Sequence, residues 1–329
     1  MSEETEKIVS STGKQLSSPF ATGGGGVHFE AHVQASFVVL MLAGGYAPCM
    51  PCWTISKIKL QGKHDKYDTD DMIVFIEKGN QQRKLLGQIK HSIRITENDK
   101  VFGEVIQAAW NDFNNASLFS KGKDAIALIT GPLSATDIHD VRTILEWARY
   151  SENPDEFFNK VDLAHFSSPK KQNKLEAFKK NLEKANCGNP VSNEVLFEFL
   201  KHFYFLGYDL DIKAGVTLSL LHSLIGQYSE ENARLLWCQI VDEVQTASKF
   251  AGTISLESLS EDLQAAFKRR VYEIIPEKFS VDLPPSDRQD WNQHTLASDL
   301  VIANLIGAWN DKKEADIEVV HQLANEEYD

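Results

Sequence analysis

Between residues 54 and 130 the chain alternates short β-rich runs with polar turns, and this rhythm constrains the fold more than any other feature. Thr54–Leu60, Met72–Glu77 (MIVFIE) and Lys84–His91 (KLLGQIKH) are separated by polar stretches that hold Gly62 and Gly79-Asn80, residues that favour chain reversal. They predict a three-stranded meander. Ahead of them, Val27–Leu42 has helical periodicity, with Phe29, Val33, Phe37, Leu40 and Met41 on one face and Gly44-Gly45 as its stop. Behind them, Thr96–Asn111 repeats Val101, Val105, Ala108 and Ala109 with helical spacing. Asp124–Thr130 (DAIALIT) is a continuous apolar run suited to a buried strand, and Ser134 is placed to cap a helix reaching Tyr150. Helix, three strands, helix, strand, helix is the order of an α/β domain, a mixed sheet flanked by helices.

After Asn153-Pro154 the pattern becomes helical throughout: 155–161, 169–186, 192–206, 213–227, 230–248, 255–268, 295–309 and 314–325, with a proline-marked break at 276–293. Residues 1–22 are rich in Ser, Thr and Lys, and Gly23 to Gly26 read as a hinge. The expected organisation is therefore a flexible segment at 1–22, an α/β domain at 23–152 and a helical region at 153–329. The longest apolar run, Ala35 to Ala43, is about half of the roughly 20 residues that cross a bilayer. No membrane partner is expected. The opening MSEETEKIVSSTGKQLSSP has no apolar stretch of signal-peptide type, and four cysteines in 329 residues are too few for a disulfide scaffold. Both point to the cytoplasm.

A net charge of -13 argues against a polyanionic partner only if the charge is evenly spread. It is not. From Ser229 to Asp329 there are 20 Asp+Glu against 9 Lys+Arg, so that tail carries -11 and the other 228 residues -2. Thr54 to Lys100 holds 10 basic and 7 acidic side chains, and Ser168 to Lys184 holds 6 Lys against 2 Glu. Such stretches suit either a basic binding surface or ordinary solvated faces.

The chemistry-bearing residues are Glu30 on the first helix, Asp70-Asp71 opening the second strand, and Gln88-Ile89-Lys90 ending the third. Residues i and i+2 of a strand point to one face, so Gln88 and Lys90 project together while Ile89 enters the core. A hairpin brings the aspartates, 17 positions earlier, back to meet them. Hard oxygen ligands beside a cation are what Mg²⁺-assisted attack on a phosphodiester requires. Taken singly, Asp70-Asp71 also suits a turn, and Lys90 also suits an edge strand that resists aggregation.

The segments GGGGVHFEAHVQASFVVLML, YDTDDMIVF and LLGQIKHSI, covering about Gly23 to Tyr150, resemble the PD-(D/E)xK, or restriction-endonuclease-like, nuclease superfamily. More narrowly, they look like the double-stranded DNA nuclease effector domains at the N terminus of bacterial antiphage NTPase/STAND-type defence proteins. The resemblance implies Asp71 and Glu30 as metal ligands, Gln88 as third-strand ligand or orienter, and Lys90 as the catalytic lysine. It also implies that the Ile89 main-chain carbonyl completes the set, with Asp70 as second choice to Asp71 and Asp68 as third. The implied ion is Mg²⁺, with Mn²⁺ substituting. The implied activity is endonucleolytic hydrolysis of double-stranded DNA with little sequence preference, contacted by Lys57, Lys59, Lys63 and His91. A homo-oligomer, antiviral defence and a C-terminal sensor or NTPase region beyond this chain follow from the same resemblance. One departure bears on all of this: Gln88 stands where the family has Asp or Glu, and a neutral amide brings no charge to a metal. A degenerate nuclease fold serving assembly is the alternative.

Cys49-Met-Pro-Cys52 could supply two thiols to one ion, with His28 and His32 as remote partners, but no second CxxC completes a structural zinc set. A proline-containing turn with small thiols is the simpler expectation. There is no GxxxxGK[ST] phosphate loop and no GxSxG elbow. The aromatic cluster Phe197, Phe199, Phe203, Tyr204, Phe205 and Tyr208 is expected to serve a core or an oligomer interface.

Overall fold

In a computed structural model, residues 24–268 are described, apart from 165, 213, 230 and 231. The chain divides into two units, Met1–Phe267 and Lys268–Asp329, and the elements below all belong to the first. The 1–22 segment, Gly23, the break at 276–293 and the helices expected at 295–309 and 314–325 lie outside the described residues.

The first helix, α1 (Gly25–Leu42), is buried on every side from Val33 to Val39. The sequence predicted one apolar face. The helix is instead enclosed between the sheet and two later helices, so small and apolar residues recur around its whole circumference. It ends as its glycines require: Gly44 has φ 66° and donates to Met41 O at 3.1 Å, while Gly45 donates to Leu40 O at 2.7 Å, the pairing of a left-handed helix stop.

Strands β1 (Thr54–Leu60), β2 (Met72–Lys78) and β3 (Gln81–Lys90) form the expected antiparallel meander. Helix α2 (Lys100–Phe113), capped by Asp99, then leads to β4 (Ala125–Thr130), which is parallel to β3. Alternation along the strands assigns the two faces. Met72, Val74, Ile76, Leu85, Ile89, Ala127 and Ile129 face α1, whereas Ile73, Leu86, Ile126 and Leu128 face the opposite core.

That second core is completed by α3 (Ala135–Arg149), whose cap is Ser134, and by α4 (Pro154–Asp162), α5 (Pro169–Ala185) and α6 (Asn193–His202). The chain then re-enters the sheet as β5 (Phe203–Gly207), parallel to β4, and continues through α7 (Val216–Gly226) and α8 (Ala233–Lys249). A short β6 (Thr253–Ser255) pairs with β1, and α9 (Glu261–Ala266) follows. The six strands run β5-β4-β3-β2-β1-β6, a mixed sheet flanked by helices.

Two expectations need correction. The region after Asn153 is mostly helical, but it contributes both edge strands, β5 and β6. The boundary expected at 152/153 does not separate two bodies, because Phe178, Leu182, Phe199 and Phe203 are fully or almost fully buried in the core built on Ile73 and Leu128. The aromatic cluster is therefore largely core: the Phe199 ring lies 5.4 Å from that of Phe113 and 5.5 Å from that of Phe203. Phe199→Ala should cost about 3–5 kcal/mol of unfolding free energy in urea titrations, while a helical domain independent of the sheet would leave the sheet's transition unmoved.

Four of the six lysines of α5 are engaged by neighbouring groups. Lys171 pairs with Asp140 at 3.1 Å, Lys174 with Asp137 at 2.5 Å and Lys180 with Glu183 at 3.1 Å, while Lys184 reaches Glu97 O. No helix among the described residues is long and apolar enough to cross a membrane.

Candidate functional site

The meander register places the site. Met72 pairs with Gly87, so Asp71, one residue before β2, comes opposite Gln88, one residue after Gly87. Asp71 Oδ2 accepts three hydrogen bonds: from Gln88 Nε2 at 2.5 Å, from Ile89 N at 2.6 Å and from Lys90 Nζ at 3.2 Å. The carboxylate is buried, and the Lys90 side chain is about one-third exposed at 32%. A strand residue's N–H and C=O leave on the same side. The Ile89 carbonyl therefore also points beyond the end of β2, toward Asp71.

Glu30 approaches from α1. Its Oε1 accepts from Gln34 Nε2 at 3.1 Å and from Gln61 Nε2 at 2.7 Å. Gln34 is 1% exposed and its amide also donates to Asp71 O at 2.9 Å, so one buried amide ties helix to loop. Burial first, and the Asp71 charge second, push the Glu30 carboxyl up to about 7, against the opposing pull of Lys90 and its two amide donors. Asp70 is half-buried, and its carboxyl is also raised, by burial and then by Asp71.

The structure thus brings Asp71, Gln88, Ile89 and Lys90 into hydrogen-bond contact, with Glu30 and Asp70 near enough to feel the Asp71 and Lys90 charges. Asp68 does not belong with them. Its carboxylate is held by Lys63 at 2.7 Å and by Asn111 at 2.8 Å, so its expected place as third-choice ligand is corrected. Of the residues expected to contact DNA, Lys59 pairs with Asp65 at 2.8 Å, Lys63 with Asp68, and His91 Nε2 with Asp211 at 2.9 Å. The Lys57 ammonium lies 4.8 Å from the centroid of the Phe75 ring.

Among the described residues no group of three or more His, Cys, Asp or Glu side chains is arranged to hold a metal ion. A thiol or imidazole site on Cys49, Cys52, His28 and His32 is thereby set aside. Cys49 is pushed up to about 12 by burial, His32 down to about 4 by burial and then His28, and all four cysteines are free. The donors of the main cluster still fit Mg²⁺. That ion is commonly bound by one or two carboxylates with waters and ligand phosphates, and here the buried Asp71 carboxylate, paired with Lys90, and the half-buried Glu30 carboxylate are the two on offer.

Gln34, Gln61 and Asp211 were not anticipated from the sequence. Only Gln34 carried a signal, since i and i+4 of a helix share a face with Glu30.

The fold is similar to that of the Acinetobacter baumannii Cap4 SAVED/CARF-domain containing receptor, over 88% of this chain and 62% of that one, at 13% identity and a TM-score of 0.43. It is similar as well to that receptor with the cyclic trinucleotide 3'3'3'-cAAA, over 73% of this chain and 49% of the other, at 13% identity and a TM-score of 0.41. For the receptor with 2'3'3'-cAAA the shares are 73% and 46%, with 13% identity and a TM-score of 0.42. The chain spans 46% to 62% of the length of these structures. No family model and no curated protein matches the chain. The expectation of a metal-dependent endonuclease acting on double-stranded DNA is corrected by this comparison: the similar structures are receptors, two of them with a cyclic trinucleotide.

Proposed function

We propose that the cluster at the ends of β2 and β3 is a divalent-cation site that binds a phosphodiester of a short oligonucleotide, cyclic trinucleotides included. The carrying observation is the convergence of Lys90, Gln88 and the Ile89 backbone on Asp71, with Glu30 linked to the same loop through Gln34. Asp71 and Glu30 would hold Mg²⁺, or Mn²⁺ in its place, assisted by the oxygens of Gln88 and Ile89. The bound ion would supply positive charge to a phosphate oxygen. Lys90 supplies a second cation on the same face, and Gln34 and Gln61 keep the Glu30 carboxylate oriented.

A short ligand fits the surroundings better than a duplex. Duplex binding draws on several free cations that neutralise successive phosphates. Lys59, Lys63 and His91 are already paired with carboxylates. The resemblance noted in the sequence supplies the rest of the proposal: a PD-(D/E)xK type of site in a cytoplasmic, homo-oligomeric protein of antiviral defence.

Titration calorimetry of the whole chain with cyclic triadenylate, in Mn²⁺ and in EDTA, tests this. Binding should require Mn²⁺ and should resist competition by duplex DNA at physiological salt. Equal binding in EDTA would remove the metal from the proposal. One observation favours a second reading, hydrolysis of the bound phosphodiester: Glu30 titrates near neutrality beside Lys90, as a group that exchanges protons at pH 7 must. Chromatography of the recovered ligand checks it, since turnover leaves a linear product.

A further inference from the structure

Segment 68–71 has no strand partner, so its backbone polar groups must be satisfied elsewhere. Four of them are met by partners from three other segments. Asp68 N donates to Asp112 Oδ1 at 3.0 Å and Thr69 N to Asp112 Oδ2 at 2.6 Å. Asp70 O accepts from Gly62 N at 2.6 Å, and Asp71 O accepts from Gln34 Nε2 at 2.9 Å. On the outer side, Asn111 Nδ2 holds the Asp68 carboxylate at 2.8 Å.

Asp112 is 1% exposed and sits in the last turn of α2. Both facts count against a carboxylate there. Burial disfavours the charge, and the C-terminal end of a helix carries partial negative charge of its own. Its two oxygens nevertheless each accept one amide, and those amides belong to the residues just before Asp70 and Asp71. We propose that Asp112, seconded by Asn111, is a positioning residue that fixes where the Asp71 carboxylate stands. This rests on the cation site described above and adds the part of α2 that builds it.

In Asp112→Asn the side chain keeps its shape but offers one oxygen and one N–H₂, so one of the two backbone amides faces a donor. Mn²⁺ affinity, read by electron paramagnetic resonance of the full chain, should fall about 10- to 100-fold, the range for losing a group that orients a ligand. The same substitution made on an Asp71→Asn background should cause no further loss. A general weakening of the fold would lower affinity equally in both backgrounds, and that result, or an unchanged affinity in Asp112→Asn alone, overturns the proposal. If Asp112→Asn does not fold, Asn111→Ala, at an exposed position, should weaken Mn²⁺ binding about threefold, less than the 10- to 100-fold for a direct orienting group because its contact with Asp68 lies one step further out. No change there would be equally decisive against it. Absence of Mn²⁺ binding by the wild-type chain would remove the cation site itself, whereas normal wild-type binding with an indifferent Asp112 would remove only this inference.

Discussion

An Asp71→Asn chain should bind Mn²⁺ about 100-fold more weakly than wild type, or worse, because loss of a direct charged ligand exceeds the 10- to 100-fold cost of disturbing an orienting partner. The substitution preserves shape, and the Asn oxygen can still accept from Ile89 N. What disappears is the negative charge against which Lys90 is placed at 3.2 Å. Glu30 should respond as well. The Asp71 charge is the second cause of its elevation, after burial, so its midpoint should move down from about 7. Calorimetry gives the affinity and a carbon-detected titration gives the Glu30 midpoint. Unaltered Mn²⁺ affinity would mean that Asp71 serves only the hairpin.

Glu30→Gln should remove a pH dependence of folding worth about 3 kcal/mol, at 1.36 kcal/mol for each unit of pKa. The carboxyl titrates at about 7 in the folded chain against an ordinary 4.5. Below about 4.5 both folded and unfolded states hold the proton, and the contribution is complete. As pH rises toward 7 the unfolded state ionises first, so stability falls, and above 7 the loss is complete. Wild type should therefore lose stability relative to Glu30→Gln between pH 4.5 and 7, then run parallel to it. His32 works in the opposite direction over nearly the same window. Its midpoint is lowered from 6.5 to about 4, so its contribution is present above 6.5 and lost as pH falls. Subtracting the Glu30→Gln curve cancels that term, and urea unfolding at half-unit steps measures the difference. Mg²⁺ should compete with the proton on Glu30, so its affinity should climb as pH rises to 7 and level off beyond. A flat difference curve would show that Glu30 is not desolvated.

The strand that carries the site was legible because its signals are local. Period-two alternation puts Gln88 and Lys90 on one side, and a two-strand hairpin makes Asp71 and Gln88 neighbours whatever the rest of the chain does. The central helix was legible in extent but not in burial, since its second covering layer, α7 and α8, begins more than 170 residues later. The strand β5 was hidden for a related reason. Phe203–Gly207 follows α6 without a turn, and its apolar residues fit a helix as readily as a sheet edge until β4 offers a parallel partner.

The pairing of charges also lay beyond the reach of sequence. Lys59 and Lys63 look like a basic stripe, but Asp65 and Asp68 from the connection to β2 take them, and His91 meets Asp211 across 120 positions. By itself the sequence determined the order of elements as far as α3, the meander and the convergence of Asp71, Gln88 and Lys90, all consequences of backbone periodicity. Tertiary packing alone decided that Glu30 is raised toward neutrality, that Gln34 and Asp112 clamp the loop from two helices, and that the flanking lysines are occupied. Desolvation and contacts between distant segments have no period to read.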